Sequence, residues 1–220
     1  MFILFSLITM RMTGAVALNP VFGRTNVPSQ VKAAFIFAFS VLLYVSQGGG
    51  LQKEPATLVE YGVMLVSELF LGFVIGFAIE LAVLVVQYAS AVMDFSMGLS
   101  MAQIYDPEYN TQMTVTSGVF YAFLMMLFLA LDGHVWLVGL FFRSASEIPF
   151  GQVNINPYIG IKVLDMYTQA IYMGLQFAFP LIAMELVTEA AVGILMKIIP
   201  QINVFVVNFQ IKLMVGLLML

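Results

Sequence analysis

Residues 58–92 read LVEYGVMLVSELFLGFVIGFAIELAVLVVQYASAV, an apolar run with no proline and only the acids Glu60, Glu68 and Glu80 inside it. Nothing in it breaks a helix. At the α-helical rise such a run is roughly 50 Å long, whereas the hydrocarbon core of a bilayer is only about 30 Å thick. The excess predicts a kink at the glycines or an end that leaves the membrane and packs on protein. The run sets the fold class as all-α and membrane-associated.

The rest of the chain agrees. Of 220 residues, 62% are apolar and 9% are charged. A soluble domain is about half apolar and about a quarter charged, so lipid or an apolar partner has to cover the remainder. Five further apolar runs flank the first: Phe2 to Leu18, interrupted by Arg11; Ala33 to Val45; Val115 to Phe142; Ile161 to Ile199, with Pro180 inside; and Val204 to the end. Pro180 leaves the fifth run open to being two helices, because proline removes a backbone donor and clashes with the preceding turn. The links NPVFGRTNVP, QGGGLQKEP, SMGLSMAQIYDPEYNTQ, RSASEIPFGQVNINP and PQIN carry turn chemistry. None is long enough to be a soluble domain. The opening MFILFSLITMRM lacks a basic leader and a cleavage site and reads as a first helix, not a signal peptide. The chain opens and stops inside apolar runs, which predicts a piece of a longer protein.

If the runs alternate across a membrane, one side collects Lys53, Arg143 and Lys162 and the other Arg24, Lys32 and Lys197. Orientation follows an imbalance of such charges, and here they tie. A tie is expected when some runs are not true spans.

Glu60, Glu68, Glu80, Asp132, Glu185 and Glu189 lie within apolar sequence. A charge at the bilayer centre costs roughly 3 kcal/mol or more, so these acids face protein, water or a partner. Glu68, Gly72, Gly76 and Glu80 recur every fourth residue, and the Gly-x-x-x-Gly at the centre admits a close backbone. The stripe serves either helix packing within the chain or contact with another subunit. Glu185, Glu189, Gly193 and Lys197 repeat the spacing. Glu185 and Glu189 stand one turn apart and repel unless a cation or proton intervenes. They mark a hydrated helix end or a stripe facing water or a partner. Asp132 and His134 in LALDGHVWLV suggest a proton relay or a helix break, and Asp-Gly as a turn signal favours the break. The sixteen methionines fill irregular gaps. Those flanking the polar loop, Met97, Met101 and Met113, are suited to sealing a pore.

The absences exclude several functions. There is no cysteine and one histidine, which removes disulfides, thiolate zinc sites and cysteine nucleophiles. No phosphate loop, His-Glu-x-x-His or Gly-x-Ser-x-Gly occurs. Net charge is −4 with no basic run, against nucleic-acid binding. No enzyme, cofactor or metal is expected. The acids within apolar sequence leave an aqueous path or a subunit interface, with a small-solute transporter or ion channel using those acids as one reading and, far behind, an intramembrane enzyme.

Four ordered segments carry a resemblance: RMTGAVALNPVFGRTNVPSQVKAAFIFAFS, with Arg11, Gly14, Pro20, Pro28 and Lys32; ELFLGFVIGFAIEL followed by MDFSMGLSMAQIYDP; DGHVWLV; and PQINVFVVNFQIKLMVGL. Together they resemble the FliR family, the R-type subunit of type III secretion export gates, over nearly the whole chain. The chain departs from the family pattern in lacking part of the last helix and tail, and in carrying Gln210 where a proline is common. The resemblance implies a fold of helical hairpins within the all-α class, with a FliP-like part over residues 1–160 and a FliQ-like hairpin over 161–220, similar to FliQ at Pro180, Gly193, Gln201, Asn203 and Lys212. It implies assembly with FliP-like, FliQ-like and FlhB-like subunits in the bacterial inner membrane at the flagellar basal body, part of the complex lying on the periplasmic side. The exported cargo is unfolded protein, and energy comes from other components. The loop at about 97–114 becomes the pore plug, with Met97, Gly98, Met101, Asp106, Pro107, Asn110, Gln112 and Met113. Its small and polar residues suit an aqueous channel, Asp106-Pro107 favours a fixed turn, and the bland alternative is an external loop. The PQINVF segment leans towards a flagellar member.

Overall fold

The computed structural model describes residues 2–23, 27–47, 51, 54–101, 103–106, 111–153, 156, 158–199 and 204–220, with backbone only at 101, 103–106, 111–113 and 204–206. Arg24, Lys53, Pro107, Asn110, Gln201 and Asn203 lie outside the described residues.

The described residues form seven α-helices: α1 (Phe2–Ala17), α2 (Ser29–Ser46), α3 (Leu58–Met97), α4 (Val115–Ala130), α5 (Gly133–Glu147), α6 (Tyr158–Ile198) and α7 (Val204–Met219). Strands β1 (Gln103–Asp106) and β2 (Thr111–Thr114) pair as one antiparallel hairpin between α3 and α4. The molecule is an all-α membrane protein apart from this hairpin.

The decisive run is one helix of 40 residues, about 60 Å at the standard rise. It continues past Val92 to Met97 and stops at Gly98, whose φ of 80° is the left-handed conformation that ends helices at glycine. The run Ile161–Ile199 is likewise one helix, α6, 41 residues long with Pro180 inside it. Ala170, Gly174, Ala178, Leu181, Glu185, Thr188 and Val192 are buried along it, a stripe at helical spacing that keeps its register through the proline. Breaking the helix at Pro180 would take half of that stripe out of contact, and one missing backbone bond does not outweigh this. The run Val115–Phe142 does break. Asp132, at φ 56°, takes the left-handed conformation and α5 leaves α4 at 71°. The Asp132 carbonyl accepts from the backbone N–H groups of Val135 and Trp136 at 2.9 and 3.2 Å, so the Asp-Gly turn starts the new helix. Asp132 and His134 are both exposed.

The chain divides into two compact units. The first holds Met1–Ala82 and Met126–Tyr167, the second Val83–Met125 and Thr168–Leu220. Leu4, Leu7, Ile8, Met12, Leu43 and Phe141 are central to the core of the first unit. Ala89, Met93, Met97, Ala178 and Leu181 form that of the second. Both cores are small beside the apolar surface left outside. α2, α3 and α6 are each long and apolar enough to cross a membrane, and the bent pair α4–α5 makes a fourth if it counts as one span. Only 11% of the apolar window of α2, and 22% of those of α3 and α6, is buried inside the chain. Trp136, Leu58 and Leu218 stand among many exposed large apolar side chains. Exposure on this scale is untenable in water.

Candidate functional site

Two groups of buried polar side chains stand out, one in each unit. In the first, Arg11 of α1 and Glu68 of α3 form an ion pair with Nε to Oε2 at 2.6 Å, both side chains 0% exposed. Glycines bring the two helices this close. A Cβ on Gly72 would collide with the Arg11 carbonyl oxygen, one on Gly76 would lie 2.8 Å from the Ala15 carbonyl oxygen, and one on Gly14 would lie 2.7 Å from the Phe73 nitrogen. The Gly-x-x-x-Gly of α3 therefore seats α1. Arg11 Nη1 donates to the carbonyls of Ser144 and Ile148 at 3.1 and 3.0 Å, where the end of α5 gathers partial negative charge. The guanidinium lies 4.0 Å from the centre of the Phe150 ring, a cation–π contact. Glu68 Oε1 accepts from the Gly151 N–H at 2.8 Å. Gly151, at φ 79°, is the third residue of a turn closed by Gln152 N–H on the Pro149 carbonyl, a position that demands glycine in a type II turn. Arg11 Nη2 alone makes no hydrogen bond among the described residues.

In the second unit the polar groups gather at the root of the hairpin. Asp94 is fully buried near the end of α3. Its Oδ2 accepts from the backbone N–H of Thr116 at 3.0 Å and its Oδ1 from the Thr116 hydroxyl. This carboxylate caps the start of α4, where unsatisfied N–H groups and the helix dipole favour an anion. The bond also closes the loop, since it joins the helix entering the hairpin to the helix leaving it. Between them Gln103 pairs with Thr114, Ile104 with Met113, Tyr105 with Gln112 and Asp106 with Thr111. The expected plug is thus a pinned β-hairpin. Met97 is fully buried at its root, Gly98 turns the chain, and Met101 ends a single 3₁₀ turn.

Glu189 on α6 pairs with Lys212 on α7, the cation that the Glu185–Glu189 spacing required. Glu185 is 2% exposed, and neither of its oxygens accepts a hydrogen bond among the described residues. The two fourfold stripes do not each keep one environment. Glu68, Gly72 and Gly76 are buried and Glu80 half-buried, while Glu185 is buried, Glu189 and Lys197 are exposed, and Gly193 has open space where a Cβ would stand. Each four-residue step turns about 40° past a full circle, so a strict fourfold pattern walks off any one face. Among the described residues no three His, Cys, Asp or Glu side chains group to hold a metal.

Sequence reasoning missed Arg11 as the partner of Glu68, and Asp94 and Thr116 altogether. The signal for Asp94 was present: a lone acid near the end of an apolar run, followed by a Thr-Ser pair where the next run starts.

The family model described as "Bacterial export proteins, family 1" matches residues 2–220. The chain is 28% identical over 213 residues to the flagellar biosynthetic protein FliR of Pectobacterium carotovorum subsp. carotovorum, covering 96% of this chain and 80% of that protein. It is 26% identical over 208 residues to FliR of Escherichia coli (strain K12), covering 94% and 79%. Against FliR of Buchnera aphidicola subsp. Baizongia pistaciae (strain Bp) the identity is 25% over 157 residues, 71% of this chain and 61% of that protein. A largely helical, apolar chain that the family model matches over residues 2–220 belongs to the bacterial export protein family 1, the family of the flagellar FliR proteins.

Proposed function

We propose that this chain is a subunit of the flagellar protein-export gate and that its β1–β2 hairpin is the plug of the conducting path. With FliP-like, FliQ-like and FlhB-like subunits it forms a channel through which unfolded proteins cross the bacterial inner membrane, part of the assembly standing on the periplasmic side. Residues 1–160 form the FliP-like part and 161–220 the FliQ-like part. The chain turns over no substrate chemically.

The observation that carries this reading is the pinned hairpin. Long apolar helices lead into and out of a short polar loop, and Asp94 and Thr116 tie that loop shut at its root. Exposed apolar surface on every long helix supports burial against other subunits as well as lipid. A small-solute pathway lined by acids is less well supported, because Glu68 and Asp94 have both oxygens engaged inside this chain. The experiment is to shorten the segment Gly98 to Met113 in cells carrying the full export apparatus. Uptake of a small membrane-impermeant dye should rise. Unchanged uptake rules the plug out.

A further inference from the structure

The root of the hairpin is held by one face of α7. Lys212 Nζ lies 3.5 Å from the Ser96 carbonyl oxygen. Gly216, one turn further on, receives the Met97 thioether so closely that a Cβ there would overlap its Sδ and Cγ. The Phe209 ring lies 3.4 Å from where a Cβ of Gly98 would stand. Three consecutive residues, the last two of α3 and the glycine that ends it, are each met by α7.

Lys212 pairs with Glu189, which is half exposed. A second carboxylate, Glu185, stands beside the same face of α7. Both Lys212 and Glu189 stand near enough to act electrostatically on Glu185. Glu185 Oε1 is also 3.3 Å from the Cβ position of Gly216, on the face of α7 that carries Lys212 one turn away. A buried carboxyl with no donor is an acceptor left unsatisfied, and an ammonium on a flexible four-carbon stem is suited to move towards it. Asp94, the other acid at this end of α3, is already occupied by Thr116.

We propose that α7 is a latch on the plug and that Lys212 is its moving bolt. This rests on reading the hairpin as the plug. With Lys212 on Glu189 and the Ser96 carbonyl, α7 grips the end of α3 and the plug stays seated. With Lys212 transferred to Glu185, Ser96 is released and the root of the plug is free to move. Each arrangement satisfies one carboxylate, which gives the two-state element that gating needs.

The chain has no cysteine, so a Met97→Cys, Gly216→Cys pair gives an unambiguous cross-link. It is tested in cells that depend on this chain for motility. Oxidation should stop export and reduction should restore it. A pair that fails to cross-link, or a cross-linked pair that exports normally, overturns the latch. Should the reduced pair be inactive, the charge variants decide. Glu189→Gln should raise dye uptake several-fold because the bolt moves to Glu185. Glu185→Gln should lower export without raising uptake. If the shortened plug leaks and Glu189→Gln does not, the latch is wrong and the plug reading stands. If the shortened plug does not leak, the plug reading fails and the latch falls with it.

Discussion

The two polar clusters answer the same difficulty, an acid within an apolar helix, in opposite ways. Glu68 has both oxygens engaged and a buried arginine against it. Glu185 is equally buried and has neither oxygen engaged, while its neighbour Glu189 holds a lysine near the surface. The first arrangement admits one geometry, because Arg11 also grips the end of α5 and the ring of Phe150. The second leaves a lysine paired with one carboxylate and another buried carboxyl nearby without a donor. Chemistry of the first kind fixes helices, and chemistry of the second kind allows them to exchange contacts.

The largest effect should follow from breaking the fixed cluster. Glu68→Gln keeps the shape and removes the charge, leaving Arg11 buried and uncompensated. Breaking a buried pair from one side costs about 3–5 kcal/mol, a large share of the total stability of a small unit. The expected outcome is loss of the protein from membranes, read as its steady-state level and its melting temperature in detergent.

The next effect tests the helix seating beneath that pair. Gly72→Ala puts a Cβ into the Arg11 carbonyl oxygen, with the Ala15 nitrogen only 2.9 Å away. Both obstacles are backbone, so neither can rotate aside, and overpacking of this kind costs about 1–3 kcal/mol. Gly193 has nothing within 4 Å of its Cβ position, and Gly193→Ala should stabilise α6 by up to about 1 kcal/mol through helix propensity. Melting temperatures of the two variants should move in opposite directions. A fall for both would mean that Gly193 is covered by something other than this chain.

These contrasts mark what the sequence could and could not disclose. The apolar runs became helices nearly where their composition put them, and Asp132-Gly133 turned the chain as its residue types required. Pairings were hidden. Arg11 and Glu68 are 57 residues apart, and nothing local in either helix names the other. The hairpin was also obscured, since QIYD and TQMT are four-residue strands, too short for an alternating pattern to declare itself. The continuity of α6 through Pro180 depended on which residues its neighbours bury, a tertiary fact that overrides the local proline rule. The fourfold acid–glycine stripes drew attention to the right helices but promised more shared geometry than a 3.6-residue period allows.

The smallest expected effect on stability comes from the same substitution that is most damaging at Glu68. Lys212 is 16% exposed and Glu189 47%, so the pair is only partly shielded and in detergent solution its loss should cost about 1 kcal/mol or less. Freed from Glu189, Lys212 still has the Glu185 carboxyl within electrostatic reach, which offsets even that. Glu189→Gln should therefore leave the melting temperature of the detergent-solubilised protein almost unchanged. A drop comparable to that of Glu68→Gln would show that Lys212 has only one acceptor, and the distinction between a fixed and a movable cluster would be lost.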